Sequence, residues 1–164
     1  DPSYVLDGDR ADPLPVVVEA GEGAPDGARL VPVYDVRASA GHGALVESED
    51  YAAYSVAFPP NYLKKLTRAD PRDLAIISVK GDSMEPTLHD DDIVMLDMSK
   101  TSTTFDGLFV LRFGDTLHVK RIARSARKDH ILVLSDNREL YPPQEMPGHE
   151  VEIVGKVIWV GGKV

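Results

Sequence analysis

The sequence predicts a mostly β fold with little helix. From residue 30 onward, short apolar runs of strand length alternate with turn-forming residues, and only one short segment has helical character. The runs are rich in Val, Ile, Leu and Phe, which favour strands, whereas the separators carry Gly, Pro, Asn and Asp. With 164 residues and 43% hydrophobic content, the chain is long enough for one domain with its own core.

Seven apolar runs are predicted to form strands, because each has strand length and is bounded by turn residues. In chain order they are Val31–Val36, Leu74–Val79, Asp92–Leu96, Leu108–Phe113, Thr116–Ile122, His130–Leu134 and Val151–Val160. Only Gly114 and Asp115 separate the fourth run from the fifth. Two loop residues with glycine first predict a hairpin with a type II′ turn.

One short helix is predicted at Pro60–Arg68. Proline is favoured at the start of a helix, where its missing N–H leaves no hydrogen bond unmade, and Leu63 and Leu66 are spaced to share a face. It is the one helix that the sequence predicts.

Residues 1–30 are predicted to form an acidic arm or linker that precedes a folded domain at residues 31–164. Seven carboxylates against two arginines give this segment a net charge of −5, more than half of the chain's −9. Four prolines and four glycines interrupt it, and only Leu14–Val18 is apolar enough for one short edge strand. Because the first residue is not Met, we expect the chain to begin inside a longer protein.

The composition disfavours several classes of function. No run approaches the roughly 20 apolar residues that a membrane span needs, and the first residues lack the basic and apolar regions of a signal peptide, so we expect a cytoplasmic protein without membrane contact. The absence of cysteine excludes disulfides and thiolate zinc sites. The five histidines lack ligand spacing, so no metal or other cofactor is predicted, and a net charge of −9 disfavours direct binding to nucleic acid.

A candidate nucleophile, Ser83, follows the apolar strand that ends at Val79. It lies in a loop with glycine at its start and a φ-restricting proline near its end, Gly81-Asp82-Ser83-Met84-Glu85-Pro86-Thr87. Such a loop presents a hydroxyl rigidly, although the same residues also suit an ordinary turn. A serine hydroxyl is a weak nucleophile near neutral pH, so it needs a base within hydrogen-bond reach.

Lys120 is the candidate base, on the second strand of the predicted hairpin. Alternation along that strand places it on the same face as His118 and Ile122, opposite Leu117 and Val119, but does not say which face is buried. A lysine in water is almost fully protonated at neutral pH, so Lys120 would act as a base only if it were buried beside the serine. A solvated lysine on the strand, or a triad of Ser83, His118 and an aspartate, remain alternatives.

The loop around Ser83 and the segment Val119-Lys120-Arg121-Ile122 together resemble the Ser-Lys boxes of the LexA-type peptidases. This family includes SOS repressors, phage CI-type repressors and UmuD-type polymerase subunits, with signal peptidases as distant relatives. Further segments resemble the phage-repressor branch, among them Val31–Val36 leading into Ala38-Ser39-Ala40-Gly41, Leu134-Ser135-Asp136-Asn137 with Tyr141-Pro142-Pro143, and Ile153–Trp159. The similarity covers about residues 31–162 in order, and it implies a LexA-like, signal-peptidase-like fold of short, strongly twisted antiparallel strands.

The resemblance implies self-cleavage at Ala40-Gly41, within a cleavage-loop region at about residues 37–51. Ser83 would attack the Ala40 carbonyl, Lys120 would carry the proton, and the backbone N–H groups of Asp82 and Ser83 would bind the oxyanion. A plain Ala/Gly-rich surface loop is the alternative reading of this region. We expect the resting protein to hold the scissile bond beyond the roughly 3 to 3.5 Å of a near-attack geometry.

The implied protein is the C-terminal domain of a phage-type repressor. It would form a homodimer through the apolar C-terminal run, bind operator DNA only through a preceding helix-turn-helix domain, and be stimulated to cleave itself by the RecA filament on single-stranded DNA. A UmuD-like polymerase accessory subunit and a dimerisation module that no longer cleaves remain alternatives.

Overall fold

A computed structural model describes residues 4–6, 14–19, 22–25, 27–34, 52–103 and 106–163. One helix, Pro60–Leu66 (α1), and two short 3₁₀ turns, at Pro71–Asp73 and Gly148–Glu150, accompany the strands in these residues. The strands are Tyr4–Leu6 (β1), Val16–Glu19 (β2), Arg29–Tyr34 (β3), Ala52–Phe58 (β4), Leu74–Ser78 (β5), Ile93–Asp97 (β6), Gly107–Phe113 (β7), Thr116–Arg124 (β8), His130–Leu134 (β9), Gln144–Pro147 (β10) and Glu152–Lys163 (β11).

The described strands form one sheet in the order β10-β9-β8-β7-β11-β6-β5-β3-β4-β2, with β1 paired to β11. All of these pairs are antiparallel except β3 with β5. Strand β11 lies in the interior of the order and pairs with β7 along one edge and with β6 along the other. The two halves of the sheet are therefore joined through β11.

The core lies on both faces of the strands nearest the middle of the sheet. In β5, Ala75 and Ile77 belong to one apolar cluster, whereas Leu74 and Ile76 belong to another on the opposite face. Strand β6 alternates in the same way. Burial on both faces explains why these two strands read as continuous apolar runs and not as alternating patterns.

The mostly β fold with little helix is confirmed. All seven predicted strands are present. The strand at His130–Leu134 has the predicted ends, whereas the ends of the other six differ, and β3 is described only to Tyr34. The edge strand predicted at Leu14–Val18 is β2. Gly114 has a φ of 57° in the two-residue turn between β7 and β8, as a type II′ turn requires at its first central residue. The predicted helix ends two residues early, at Leu66, where the extended Thr67 stops it.

Three strands were not predicted, namely β1, β4 and β10. Two of them connect the predicted acidic arm with the rest of the sheet. Strand β1 lies in the arm and pairs with β11, and β4 pairs with both β2, which lies in the arm, and β3. None of the helices in the described ranges has the length and apolar character that a membrane crossing requires.

Candidate active site

The loop that carries Ser83 is held by glycine geometry and by buried side chains. Gly81 has a φ of 85°, in the region that favours glycine, and its N–H donates to Asp90 Oδ1 at 2.7 Å. Met84 and Leu88 are almost fully buried in the core, and Leu88 N–H donates to the Met84 carbonyl at 2.9 Å. Burying a side chain of this size contributes roughly 1.5–3 kcal/mol. The loop is therefore anchored before Ser83 by the Gly81 hydrogen bond and after it by the buried Met84 and Leu88.

Strand β8 presents Lys120 to the loop and buries its neighbours. Leu117 and Val119 lie in the same apolar cluster as Met84 and Leu88. The opposite face of β8 carries His118 and the half-buried Lys120 into a cleft. Leu117 and Val119 therefore face one core cluster, whereas Ile122, on the face of His118 and Lys120, is buried in another cluster with Phe109.

Ser83 and Lys120 are brought within hydrogen-bond distance. Lys120 Nζ lies 3.1 Å from Ser83 Oγ and 2.9 Å from the Oγ of Ser135, a buried residue that follows β9. The amine therefore contacts two hydroxyl groups at once. The sequence reasoning did not single out Ser135, although the segment Leu134–Asn137 was among those that carried the family resemblance.

Burial affects the pKa of Lys120. Removal of its ammonium group from water lowers the pKa of Lys120 below the usual value of a lysine. The pKa of His118 is also lowered, first by burial and second by the nearby positive charge of Lys120. Both shifts favour the neutral form, which is the form a general base requires.

His118 lines the cleft and makes its hydrogen bond with a residue other than the candidate nucleophile. Its Nε2 lies 2.8 Å from Thr116 Oγ1, and its ring packs edge-on to Phe113 with the centroids 5.6 Å apart. The hydrogen bond to Ser83 comes from Lys120 instead, so the geometry favours the dyad over the triad. In the described residues, no three His, Asp or Glu side chains come together in a way that could hold a metal ion.

The segment after β9 packs against the Ser83 loop through several polar contacts. The N–H of Asn137 donates to the Ser83 carbonyl at 3.0 Å, and the Tyr141 hydroxyl donates to Asp82 Oδ1 at 2.6 Å. Asp136 accepts two hydrogen bonds of 2.9 Å from Arg121, the residue after the candidate base. These bonds to a cation lower the pKa of Asp136.

The cleft has a volume of about 470 Å³ and is partly apolar. Phe113, Val133, Tyr141 and Pro142 line it together with the two dyad residues. The backbone N–H groups of Asp82 and Ser83, the candidate oxyanion donors, have no acceptor among the described residues. The candidate scissile residues Ala40 and Gly41 lie outside the described residues, so the predicted distance from that bond to Ser83 stays a prediction.

The family model described as "Peptidase S24-like" matches residues 32–158, which is most of the chain. The chain is 33% identical over 132 residues to the 26 kDa repressor protein of Escherichia phage HK022, covering 78% of this chain and 55% of that protein. It is 29% identical over 126 residues to the repressor protein CI of Enterobacteria phage phi80, covering 76% of this chain and 52% of that protein. These matches agree with the resemblance carried by the Ser83 and Lys120 segments.

A bacterial regulator is also similar. The HTH-type transcriptional regulator PrtR of Pseudomonas aeruginosa is 30% identical over 95 residues, covering 55% of this chain and 37% of that protein. The chain spans about half the length of the phage repressors that it matches.

Proposed function

Because the chain belongs to the Peptidase S24-like family, we propose that it is the self-cleaving domain of a repressor, with Ser83 as nucleophile and Lys120 as general base. The observation that carries this proposal is the 3.1 Å hydrogen bond between Lys120 Nζ and Ser83 Oγ in a partly buried cleft. A base at hydrogen-bond distance is what a serine hydroxyl needs in order to attack a peptide.

In the first step, Ser83 Oγ attacks the carbonyl carbon of Ala40 as its proton passes to neutral Lys120 Nζ. The carbonyl oxygen becomes an oxyanion, which the backbone N–H groups of Asp82 and Ser83 stabilise. When the C–N bond breaks, Lys120 returns the proton to the Gly41 nitrogen, and an ester joins Ala40 to Ser83. In the second step, water gives a proton to Lys120 while its oxygen attacks the ester carbonyl. When the C–O bond to Ser83 breaks, Lys120 passes that proton to Ser83 Oγ, and the Ala40 carboxylic acid loses its own proton to solvent.

Ser135 supports this chemistry by fixing the direction of the amine. A neutral amine has one lone pair, and it can accept the Ser83 proton only if that lone pair faces Ser83 Oγ. By accepting a hydrogen bond from Lys120 at 2.9 Å, the buried Ser135 hydroxyl turns the lone pair toward Ser83.

The residues at the proposed scissile bond suit a shallow site. Ala40 has a small side chain. Gly41 and Gly43 let the backbone around the bond adopt the conformations that attack by Ser83 would require. The partly apolar cleft wall of Phe113 and Val133 is compatible with such a small side chain.

Cleavage in this position would act as a switch. In the proposed protein, this domain dimerises in the cytoplasm, while a preceding helix-turn-helix domain binds operator DNA. Separating the two removes bivalent binding, which weakens operator occupancy by factors of roughly 100 to 10,000 without changing a DNA contact. The RecA filament on single-stranded DNA is the proposed activator, since the family resemblance implies it.

A UmuD-like polymerase accessory subunit and a dimerisation module that no longer cleaves are the competing functions. A helix-turn-helix in the coding sequence upstream of Asp1 would separate the repressor from the polymerase subunit. Cleavage itself separates the peptidase from the silent module.

The test is incubation of the purified chain at alkaline pH, followed by mass spectrometry of the products. We expect two fragments that meet at Ala40-Gly41, no fragments from Ser83→Ala or Lys120→Ala, and normal cleavage in the control His118→Ala. Cleavage that survives in Lys120→Ala but not in His118→Ala would transfer the role of base to the histidine. A folded chain that never cleaves would indicate the silent module.

A further inference from the structure

Asn137 binds two consecutive carbonyl groups of the Ser83 loop. Its backbone N–H donates to the Ser83 carbonyl at 3.0 Å, and its side-chain Nδ2 donates to the Asp82 carbonyl at 3.1 Å. The Asp82 carbonyl also accepts a hydrogen bond of 3.2 Å from the N–H of Glu85, within the same turn. The Asp82-Ser83 peptide group is therefore held from its oxygen side by two donors.

Holding that oxygen also fixes the direction of the N–H of the same peptide group. In the described residues the one cis peptide bond is Glu85-Pro86, so the Asp82-Ser83 peptide is trans. A trans peptide is planar, and its C=O and N–H bonds point in opposite directions. Because the Asp82 carbonyl points to Asn137, the Ser83 N–H must point away from Asn137. No described residue accepts a hydrogen bond from this N–H.

Two neighbouring contacts fix the position of Asn137, and one of them comes from β8. Its carbonyl accepts a hydrogen bond of 3.1 Å from Tyr141 N–H, which closes a turn. The preceding Asp136 is bound by two hydrogen bonds of 2.9 Å to Arg121. Because Arg121 follows Lys120 in β8, one strand supports both the base and the residue that holds the Ser83 loop.

We propose that Asn137 is a positioning residue that orients the Ser83 N–H as an oxyanion donor. This inference rests on the proposed function and goes beyond it by assigning a separate side chain to the oxyanion site. A donor stabilises the oxyanion only when it lies about 2.7 to 3.1 Å from the oxyanion position, so a small rotation of the peptide plane weakens it. The side-chain amide of Asn137 opposes that rotation.

The test uses Asn137→Ala and Asn137→Asp in the whole chain, with Arg138→Ala as a control at the exposed neighbouring position. Both variants keep the backbone hydrogen bond to Ser83, and the aspartate keeps the shape of the side chain without its N–H donors. Two rates are measured across pH 6 to 10, namely self-cleavage and labelling of Ser83 by a fluorophosphonate, whose phosphoryl oxygen occupies the oxyanion position. Circular dichroism verifies folding.

We expect both rates to fall by roughly 10- to 100-fold in both variants, with an unchanged midpoint of the pH profile and a normal control. Rates within twofold of the parent would overturn the inference while leaving the proposed function intact. A shifted midpoint would also overturn it, because Asn137 would then act through Lys120. Loss of fold in both variants would make Asn137 a structural residue. A folded parent chain that neither cleaves nor labels would refute the proposed function, and this inference with it.

Discussion

Raising the pH is expected to accelerate self-cleavage, because only neutral Lys120 can take the proton from Ser83. A lysine with the ordinary pKa of 10.5 is neutral in only about 0.1% of molecules at pH 7.5. Burial lowers the pKa of Lys120, and each unit of lowering increases the neutral fraction about tenfold, which corresponds to ~1.4 kcal/mol. The rate should therefore rise about tenfold per pH unit and reach its plateau below pH 10.5.

The assay follows the loss of intact chain on denaturing gels from pH 6 to 11, with circular dichroism to show that the fold survives at each pH. Lys120→Arg is the matched control, because a guanidinium stays protonated throughout this range and should give no cleavage at any pH. A flat profile, a plateau at or above pH 10.5, or cleavage by the arginine variant would each refute the argument that burial prepares Lys120 as a base.

The lowered pKa of Lys120 should also make the free energy of unfolding depend on pH. Between the folded pKa of Lys120 and the unfolded value of 10.5, the unfolded chain binds more protons than the folded chain, so the free energy of unfolding rises with pH. Lys120→Met removes this effect. Urea unfolding at several pH values should show the variant more stable than the parent near pH 6, with a difference that shrinks toward pH 10.5. A difference that grows with pH would contradict this sign.

Three further predictions concern packing, charge and assembly. Asp136→Asn should lower the free energy of unfolding by about 1.5–3 kcal/mol at pH 7, because it weakens the hydrogen bonding with Arg121. This difference should vanish in acid, as the pH falls through the lowered pKa of Asp136, and urea titrations at both pH values test it. Gly155→Ala should destabilise the chain by about 1–3 kcal/mol, because the added Cβ would lie 2.8 Å from the Asp97 carbonyl oxygen. The control is Gly23→Ala, whose added Cβ would meet nothing within 4 Å and should leave the thermal midpoint of unfolding unchanged. Light scattering at micromolar concentration should give twice the mass of one chain, and a monomer at 100 micromolar would contradict the proposed dimer.

The strands that the sequence predicted well are those whose burial is visible in their composition. Strands β5 and β6 are buried on both faces, so their apolar runs are unmistakable. Strand β4 was missed because small residues, among them Ser55 and the buried Ala57, separate its larger apolar side chains and carry little hydrophobic signal. Strand β10 was missed because it lies at the edge of the sheet, exposes Gln144 and Glu145, and depends on backbone pairing with β9.

The candidate site was predictable to the extent that short motifs define it. The Ser83 loop and the Lys120 strand each carry a local pattern, and the structure brings them together. Ser135 and Asn137 lie in a segment that carries the family resemblance, but nothing in the sequence predicts their contacts, because a serine and an asparagine after a strand are common turn residues. Their contacts with Lys120 and Asp82 arise only when the segment after β9 closes over the loop.

The position of β11 between β7 and β6 has a consequence for when the proposed dyad can form during protein synthesis. Ser83 follows β5 and Lys120 lies on β8, and the sheet order places β11 between these two strands. Because β11 comes after all other described strands in the chain, a ribosome finishes both candidate catalytic residues well before the strand that joins their halves of the sheet. A nascent chain that stops before Glu152 is therefore expected to contain both residues of the proposed dyad without the strand that joins their halves of the sheet.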